Sequence, residues 1–258
     1  MPLAVFLAII GFFIGGPRGL LIGALIGLVT GWVVRKVVRD RLVGAQAQFL
    51  ESTFAVMGAL SKADGVVTRD EIAAAEAMFD RLNLSGTQRE IAKAAFNRGK
   101  SPGFDVDAEV ATFARAAHGY RPLLLMFLQA QVAAIAGDGN VHPAEHQLLV
   151  RIARTLGLSE SDVAQLEALL RASAGAGGGR AGTPPSRRKL DDAYEALGLS
   201  PAATDAEIKK TYRRLMSQNH PDKLAGKGLP ESMRQMAEER TREISTAYAI
   251  IKESRGFN

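Results

Sequence analysis

The chain begins with a long apolar stretch that carries almost no charge. Among residues 3–34 the one charged side chain is Arg18. A single helix of that length would measure roughly 48 Å, whereas the hydrocarbon core of a bilayer is about 30 Å thick. We therefore predict a membrane anchor at residues 1–38 with one transmembrane helix over about residues 3–34. Pro17 and Arg18 predict a kink or the outer edge of the span, and a hairpin of two short legs is an alternative.

Basic residues directly follow this stretch and predict its orientation. Four cations lie just after it: Arg35, Lys36, Arg39 and Arg41. Positive charge favours the cytoplasmic side of a membrane helix, so the rest of the chain is expected in the cytoplasm. A cleaved signal peptide is disfavoured, although Ala45-Gln46-Ala47 has the form of a cleavage site. The apolar stretch is too long for one, and no basic segment precedes it.

Glycines recur every fourth residue within the apolar stretch. The series runs from Gly11 to Gly31, and the residues predicted to form the dimer contact are Gly15, Gly19, Gly23, Gly27 and Gly31. This spacing puts them on one face of a helix, where missing side chains allow a second helix to approach closely. Glycine is also simply common in membrane helices. The regular register favours a transmembrane homodimer built on this face.

Residues 46–172 show apolar positions spaced by three and four, with turn signals between them, which predicts about seven helices in one bundle. The stretch also contains an internal repeat. Residues 64–71, which begin Asp-Gly and end in Glu, are matched by residues 138–145 at an offset of 74. Asp-Gly predicts a turn, and Thr68 with Glu71 has the form of a helix-capping box.

This duplicated pattern resembles the TerB-like helical domain. The resemblance implies an acidic site for a metal or another ligand, with four candidate residues: Asp64, Glu71, Asp138 and Glu145. The favoured interpretation is that these four residues form turns and helix caps and bind no ligand. His142 and His146 flank Glu145 in the order found in some zinc peptidases. Zinc catalysis is disfavoured, because His142 precedes Pro143 at a helix start and Glu71 occurs without histidines.

Residues 173–189 are rich in glycine and then in proline and arginine, which predicts a flexible linker. A compact helical pattern follows at residues 190–258. Thr204 and Glu207 form a capping box at the start of one helix. Ile208, Tyr212 and Leu215 make the apolar face of that helix, and a further helix is expected from about residue 232 to 253.

This C-terminal pattern resembles the J domain of DnaJ-type co-chaperones. The resemblance rests on residues 194–199 (Tyr-Glu-Ala-Leu-Gly-Leu), on the basic helix around Tyr212, and on the His-Pro-Asp-Lys sequence at residues 220–223. It implies a module that docks on a DnaK-type chaperone and accelerates that partner's ATP hydrolysis. The residues implied in docking are Lys209, Lys210, Arg213, Arg214, His220, Pro221, Asp222 and Lys223.

The whole chain is thus expected to be all-α: a transmembrane helix, a TerB-like helical bundle, a linker and a J domain. It resembles membrane-anchored DnaJ-like co-chaperones of the bacterial inner membrane, which implies a binding protein, not an enzyme, that needs no cofactor. The absence of Cys from the sequence excludes disulfides and thiolate metal sites. The basic helix has no groove-reading motif, and its Tyr212 belongs to the apolar face, so no nucleic-acid partner is expected. A component of a protein-import motor is an alternative, disfavoured by the large middle domain.

Overall fold

The computed structural model describes residues 2–62, 69–135, 143–174, 187–226 and 233–256 and contains no strand among them. The chain divides into two compact units, residues 1–46 and residues 47–258. The helices are α1 (Pro2–Leu60), α2 (Arg69–Arg81), α3 (Gly86–Gly99), α4 (Val106–Ala116), α5 (Arg121–Ile135), α6 (Pro143–Thr155), α7 (Glu160–Ala174), α8 (Arg187–Ala196), α9 (Asp205–Asn219), α10 (Pro221–Ala225) and α11 (Arg234–Arg255). The predicted all-α class is confirmed.

The first unit contains a break in α1. Gly15 and Gly16 leave helical geometry, and Gly16 has a φ of 59°, which glycine adopts without strain. The residues on either side of the break pack together, since a Cβ on Gly23 would lie 2.1 Å from the carbonyl oxygen of Leu7. Within the described residues, Phe12–Val33 is the one helical segment long and apolar enough to span a membrane. The break lies directly before Pro17, where a kink was expected. Because Leu7 then contacts Gly23, the chain turns back on itself at this point, as in the hairpin alternative.

The second unit begins with a helical bundle that comprises residues 47–60 of α1 together with α2 to α7. These seven helical segments agree with the predicted number. Three buried rings, those of Phe49, Phe113 and Phe127, pack at the centre with ring centroids 4.4–6.3 Å apart. Two helices cross closely, because a Cβ on Gly99 would lie 1.8 Å from the carbonyl oxygen of Ala55. Glycine is required at this crossing.

Helices α8, α9, α10 and α11 form a smaller bundle at the C-terminal end. Helices α9 and α11 pack side by side, and the rings of Tyr212 and Tyr248 stack between them with centroids 4.1 Å apart. Gly198, with a φ of 66°, lies just beyond the end of α8. Helix α11 begins and ends two residues later than the sequence pattern predicted.

The two bundles pack directly against each other. Helix α7 of the larger bundle lies against α8 and α11 of the smaller one. Its buried residues Ala168, Leu169 and Ala172 belong to the same hydrophobic core as Tyr194 and the other buried apolar residues of the smaller bundle. At the rim, the Arg171 guanidinium donates to Asp192 at 2.9 Å. Helix α7 of the larger bundle therefore completes the hydrophobic core of the smaller one.

Polar groups complete this interface on the α11 side. The amide of Gln129 in α5 donates to the Glu243 carboxylate at 3.2 Å. Arg240, 6% exposed, lies one turn before Glu243 on α11. Burial lowers the pKa of Arg240 and raises the pKa of Glu243, because each charged form is desolvated. The sequence pattern predicted a linker at residues 173–189 and contains no signal for this packing. Residues 173–174 and 187–189 are helical, and residues 175–186 lie outside the described ranges.

Candidate docking site at the His-Pro-Asp turn

Helix α9 begins with a complete capping box. The Thr204 backbone N–H and hydroxyl donate to the Glu207 carboxylate at 2.7 and 2.8 Å, and the Glu207 N–H donates to the Thr204 hydroxyl at 3.3 Å. These hydrogen bonds lower the pKa of Glu207, because they favour its charged form. The predicted cap is confirmed. It starts α9 in the register that buries Ile208 and Leu215.

Burial of that apolar stripe leaves cations on the outer face of α9. Lys210, Arg213 and Arg214 are exposed, and Lys209 is half-buried. All four were predicted as docking residues. A row of cations on a solvent-facing helix creates a positive potential that attracts an acidic partner surface.

His220 joins α9 to the short helix α10 and shapes the turn between them. Its backbone is extended, with φ −61° and ψ 127°, and its Nδ1 accepts a hydrogen bond from the Asp222 N–H at 3.2 Å. Pro221 occupies the first position of α10, where no N–H is needed. Leu224 is buried and anchors the turn to the core. His220 and Pro221 therefore hold Asp222 in place.

The Asp222 carboxylate points into solvent, with its side chain 70% exposed. Arg234 at the start of α11 lies 3.5 Å away, at the outer limit of a hydrogen bond. The Lys223 ammonium donates to the Ser217 hydroxyl and is directed back along α9. An exposed carboxylate on a rigid turn can receive a partner guanidinium in a bidentate pair. The position of Asp222 therefore suits an ion pair with an arginine of another protein.

The TerB-like acidic residues lie largely outside the described parts of the chain. Asp64, Asp138 and His142 are outside those ranges, and the side chain of Glu71 is not described. Glu145 is buried in α6, and the His146 Nδ1 lies 2.9 Å from the Glu167 carboxylate. Over the described residues, no group of three or more ligating side chains could hold a metal ion. The metal site stays a prediction.

The five glycines of the predicted dimer face differ in their surroundings. Gly15 lies in the break of α1 and is exposed. Gly19 and Gly31 are half-buried, whereas Gly23 and Gly27 are buried within the chain. The backbone of Leu7 and Ala8 covers Gly23. Part of the predicted dimer face is therefore covered by residues of the same chain.

Comparisons with known proteins agree with the two resemblances. The DnaJ domain family matches residues 192–255, and the family described as tellurite resistance protein TerB matches residues 51–168. The co-chaperone protein DjlA of Photobacterium profundum is 40% identical, with 97% of each chain covered. The chain belongs to the DjlA family of co-chaperones. DjlA of Vibrio cholerae is 42% identical over 82% of this chain and 80% of its own. DjlA of Escherichia coli K12 is 37% identical over 94% and 93%. No solved structure matches.

Membership in the DjlA family, together with the apolar N-terminal helix, fits a single-pass membrane protein with co-chaperone function. Two features of the site were missed by reasoning from the sequence. One is Arg234 beside Asp222, and the other is the docking of the J domain on α7. No local sequence pattern predicts either contact, because each brings together residues that are well separated along the chain.

Proposed function

We propose that this DjlA-family protein docks its J domain on a cytoplasmic DnaK-type chaperone and stimulates that chaperone's ATPase, so that the chaperone is recruited to clients near the membrane. The exposed Asp222 carboxylate, held by the turn at His220 and Pro221, carries the proposal. The chain acts as a docking partner and not as an enzyme. The TerB domain would select clients or sense a local signal.

Two features of the J domain support this function. The cations of α9 face solvent on the helix that leads directly into the turn, so a partner steered by them reaches Asp222. The interface with the TerB domain uses α8 and α11 and leaves the outer face of α9 exposed. A chaperone can therefore bind without separation of the two domains.

The test is an ATPase assay with the full chain in detergent micelles and a purified DnaK-type chaperone. Asp222→Asn is expected to abolish stimulation while the thermal unfolding midpoint stays at the wild-type value, because the Asp222 side chain is mostly exposed. Asp191→Asn is the matched control, since it neutralises another exposed Asp of the same domain. Full stimulation by Asp222→Asn would refute the assigned role.

We further propose that the chain lies in the bacterial inner membrane with residues 47–258 in the cytoplasm. The cations after the span support this orientation. The sequence has no native Cys, so a single Ser254→Cys label reports orientation without background. An impermeant thiol reagent is expected to label Cys only after the inner membrane is opened. Labelling of sealed spheroplasts would show the opposite orientation.

We also propose a homodimer through the glycine face of the membrane helix, which would raise the local concentration of J domains. Gly31 is the better test position, because a side chain at Gly23 would collide with Leu7 of the same chain. Gly31→Leu is expected to reduce self-association in a membrane two-hybrid assay. Val29→Leu, about 200° away around the helix, is the control. An unchanged signal for Gly31→Leu would contradict the dimer.

A further inference from the structure

A polar cleft of about 360 Å³ lies where the TerB domain meets the J domain. The TerB side contributes Arg81 at the end of α2 and Asn83 just after it. The J-domain side contributes the first three turns of α11. The lining residues are Arg81, Asn83, Arg234, Gln235, Glu238, Glu239 and Arg242. The cleft exists because the J domain packs on α7, which brings α11 close to the end of α2.

Cations exceed carboxylates in this cleft by three to two. Arg234 is paired with Glu238 at 3.1 Å. Arg81 lies 3.6 Å from Glu239, a longer and therefore weaker contact, and its side chain is 39% exposed. In the described part of the chain, Arg242 has no ion pair within 4.0 Å. Two arginines, Arg81 and Arg242, are thus available for a carboxylate supplied from outside.

The cleft is continuous with the His-Pro-Asp turn. Arg234 lines the cleft and also lies 3.5 Å from the Asp222 carboxylate. A partner that binds Asp222 therefore has its surface next to the cleft opening. Because guanidinium groups bind carboxylates in a bidentate manner, an acidic loop of that same partner is the ligand that best matches the two available arginines.

We propose that this cleft is a second part of the chaperone-docking surface, where Arg81 of the TerB domain binds an acidic loop of the DnaK-type chaperone. This inference rests on the proposed function of the J domain. It gives the TerB domain a direct part in partner binding. The J domain alone would lack Arg81 and bind more weakly.

The experiment measures stimulation of the chaperone's ATPase by the full chain in detergent micelles as a function of chain concentration. Arg81→Ala is expected to raise the half-maximal concentration about five- to tenfold, as for loss of one interfacial arginine, with the maximal stimulation unchanged. Arg154→Ala is the matched control, because Arg154 is an exposed TerB arginine whose pair with Glu160 is 3.7 Å long.

A second variant separates partner binding from a purely structural role of Arg81. If Arg81 binds the partner, Glu239→Gln frees its guanidinium and is expected to lower the half-maximal concentration. If Arg81 only holds α2 to α11 through Glu239, Glu239→Gln weakens stimulation as Arg81→Ala does, and the inference is wrong. Equal curves for Arg81→Ala and Arg154→Ala would also overturn it. Full stimulation by Asp222→Asn would instead refute the proposed function.

Discussion

Replacing Leu169 by Ala is expected to loosen the J domain, although Leu169 belongs to the TerB domain. Its side chain is 1% exposed and packs in the core that contains Ala193, Tyr194 and Ile250 of the J domain. The shorter side chain would leave a cavity at the boundary of the two bundles. Helices α8 and α11 would then lose apolar contacts with α7.

The expected cost follows from the burial of this residue. A Leu→Ala change at a fully buried position lowers the free energy of unfolding by about 2–5 kcal/mol. Each 1.4 kcal/mol is about a factor of ten in an equilibrium constant. A cost of about 3 kcal/mol therefore predicts roughly a hundredfold faster hydrogen exchange for amides in α8 and α11 that open with this interface.

Hydrogen exchange followed by mass spectrometry on the full chain provides the assay. Leu149→Ala is the control, because Leu149 is buried in α6 and lies outside the J-domain core. Leu149→Ala should increase hydrogen exchange in the TerB helices more than in α8. If Leu169→Ala increases exchange in α7 but leaves exchange in α8 at the wild-type rate, Leu169 does not stabilise the J domain.

Two further changes test the start of α7, where the Ser159 N–H and hydroxyl donate to the Asp162 carboxylate at 2.8 Å, and the close helix crossing at Gly99. Burial raises the pKa of Asp162, but hydrogen bonds from Ser159 and the Arg121 charge outweigh it, so the net pKa is lowered. Asp162 therefore stabilises the fold above its unfolded pKa, and this contribution is lost as pH falls through the folded pKa. Asp162→Asn should accordingly destabilise the chain at neutral pH and match wild type in strong acid, measured by urea unfolding. Gly99→Ala should cost at least about 1–3 kcal/mol in thermal unfolding, whereas Gly86→Ala, with open space around it, should stay within about 0.5 kcal/mol.

Local sequence patterns predicted the longer helices of both domains, whereas the short helix α10 was not predicted. The spacing of apolar residues predicted helices because burial of one face imposes a period of 3.6 residues. Thr204 and Glu207 predicted the start of α9 because a capping box needs only residues three apart. Pro221 likewise ends α9, because its ring fixes one backbone angle and removes an N–H donor. Each of these signals acts within about one helical turn.

Contacts between distant parts of the chain depended on the tertiary structure. The approach of Leu7 to Gly23 follows from the break at Gly15 and Gly16, and the glycine spacing alone was compatible with a partner in another chain. Arg234 meets Asp222 because α11 packs beside α10. The sequence by itself determined which helices form and where the docking turn lies. Only the tertiary structure decided that α7 completes the J-domain core and that Arg81 lies against α11. An apolar pattern shows which face of a helix is buried, but hydrophobic contacts are not directional, so the pattern does not specify which other helix covers that face.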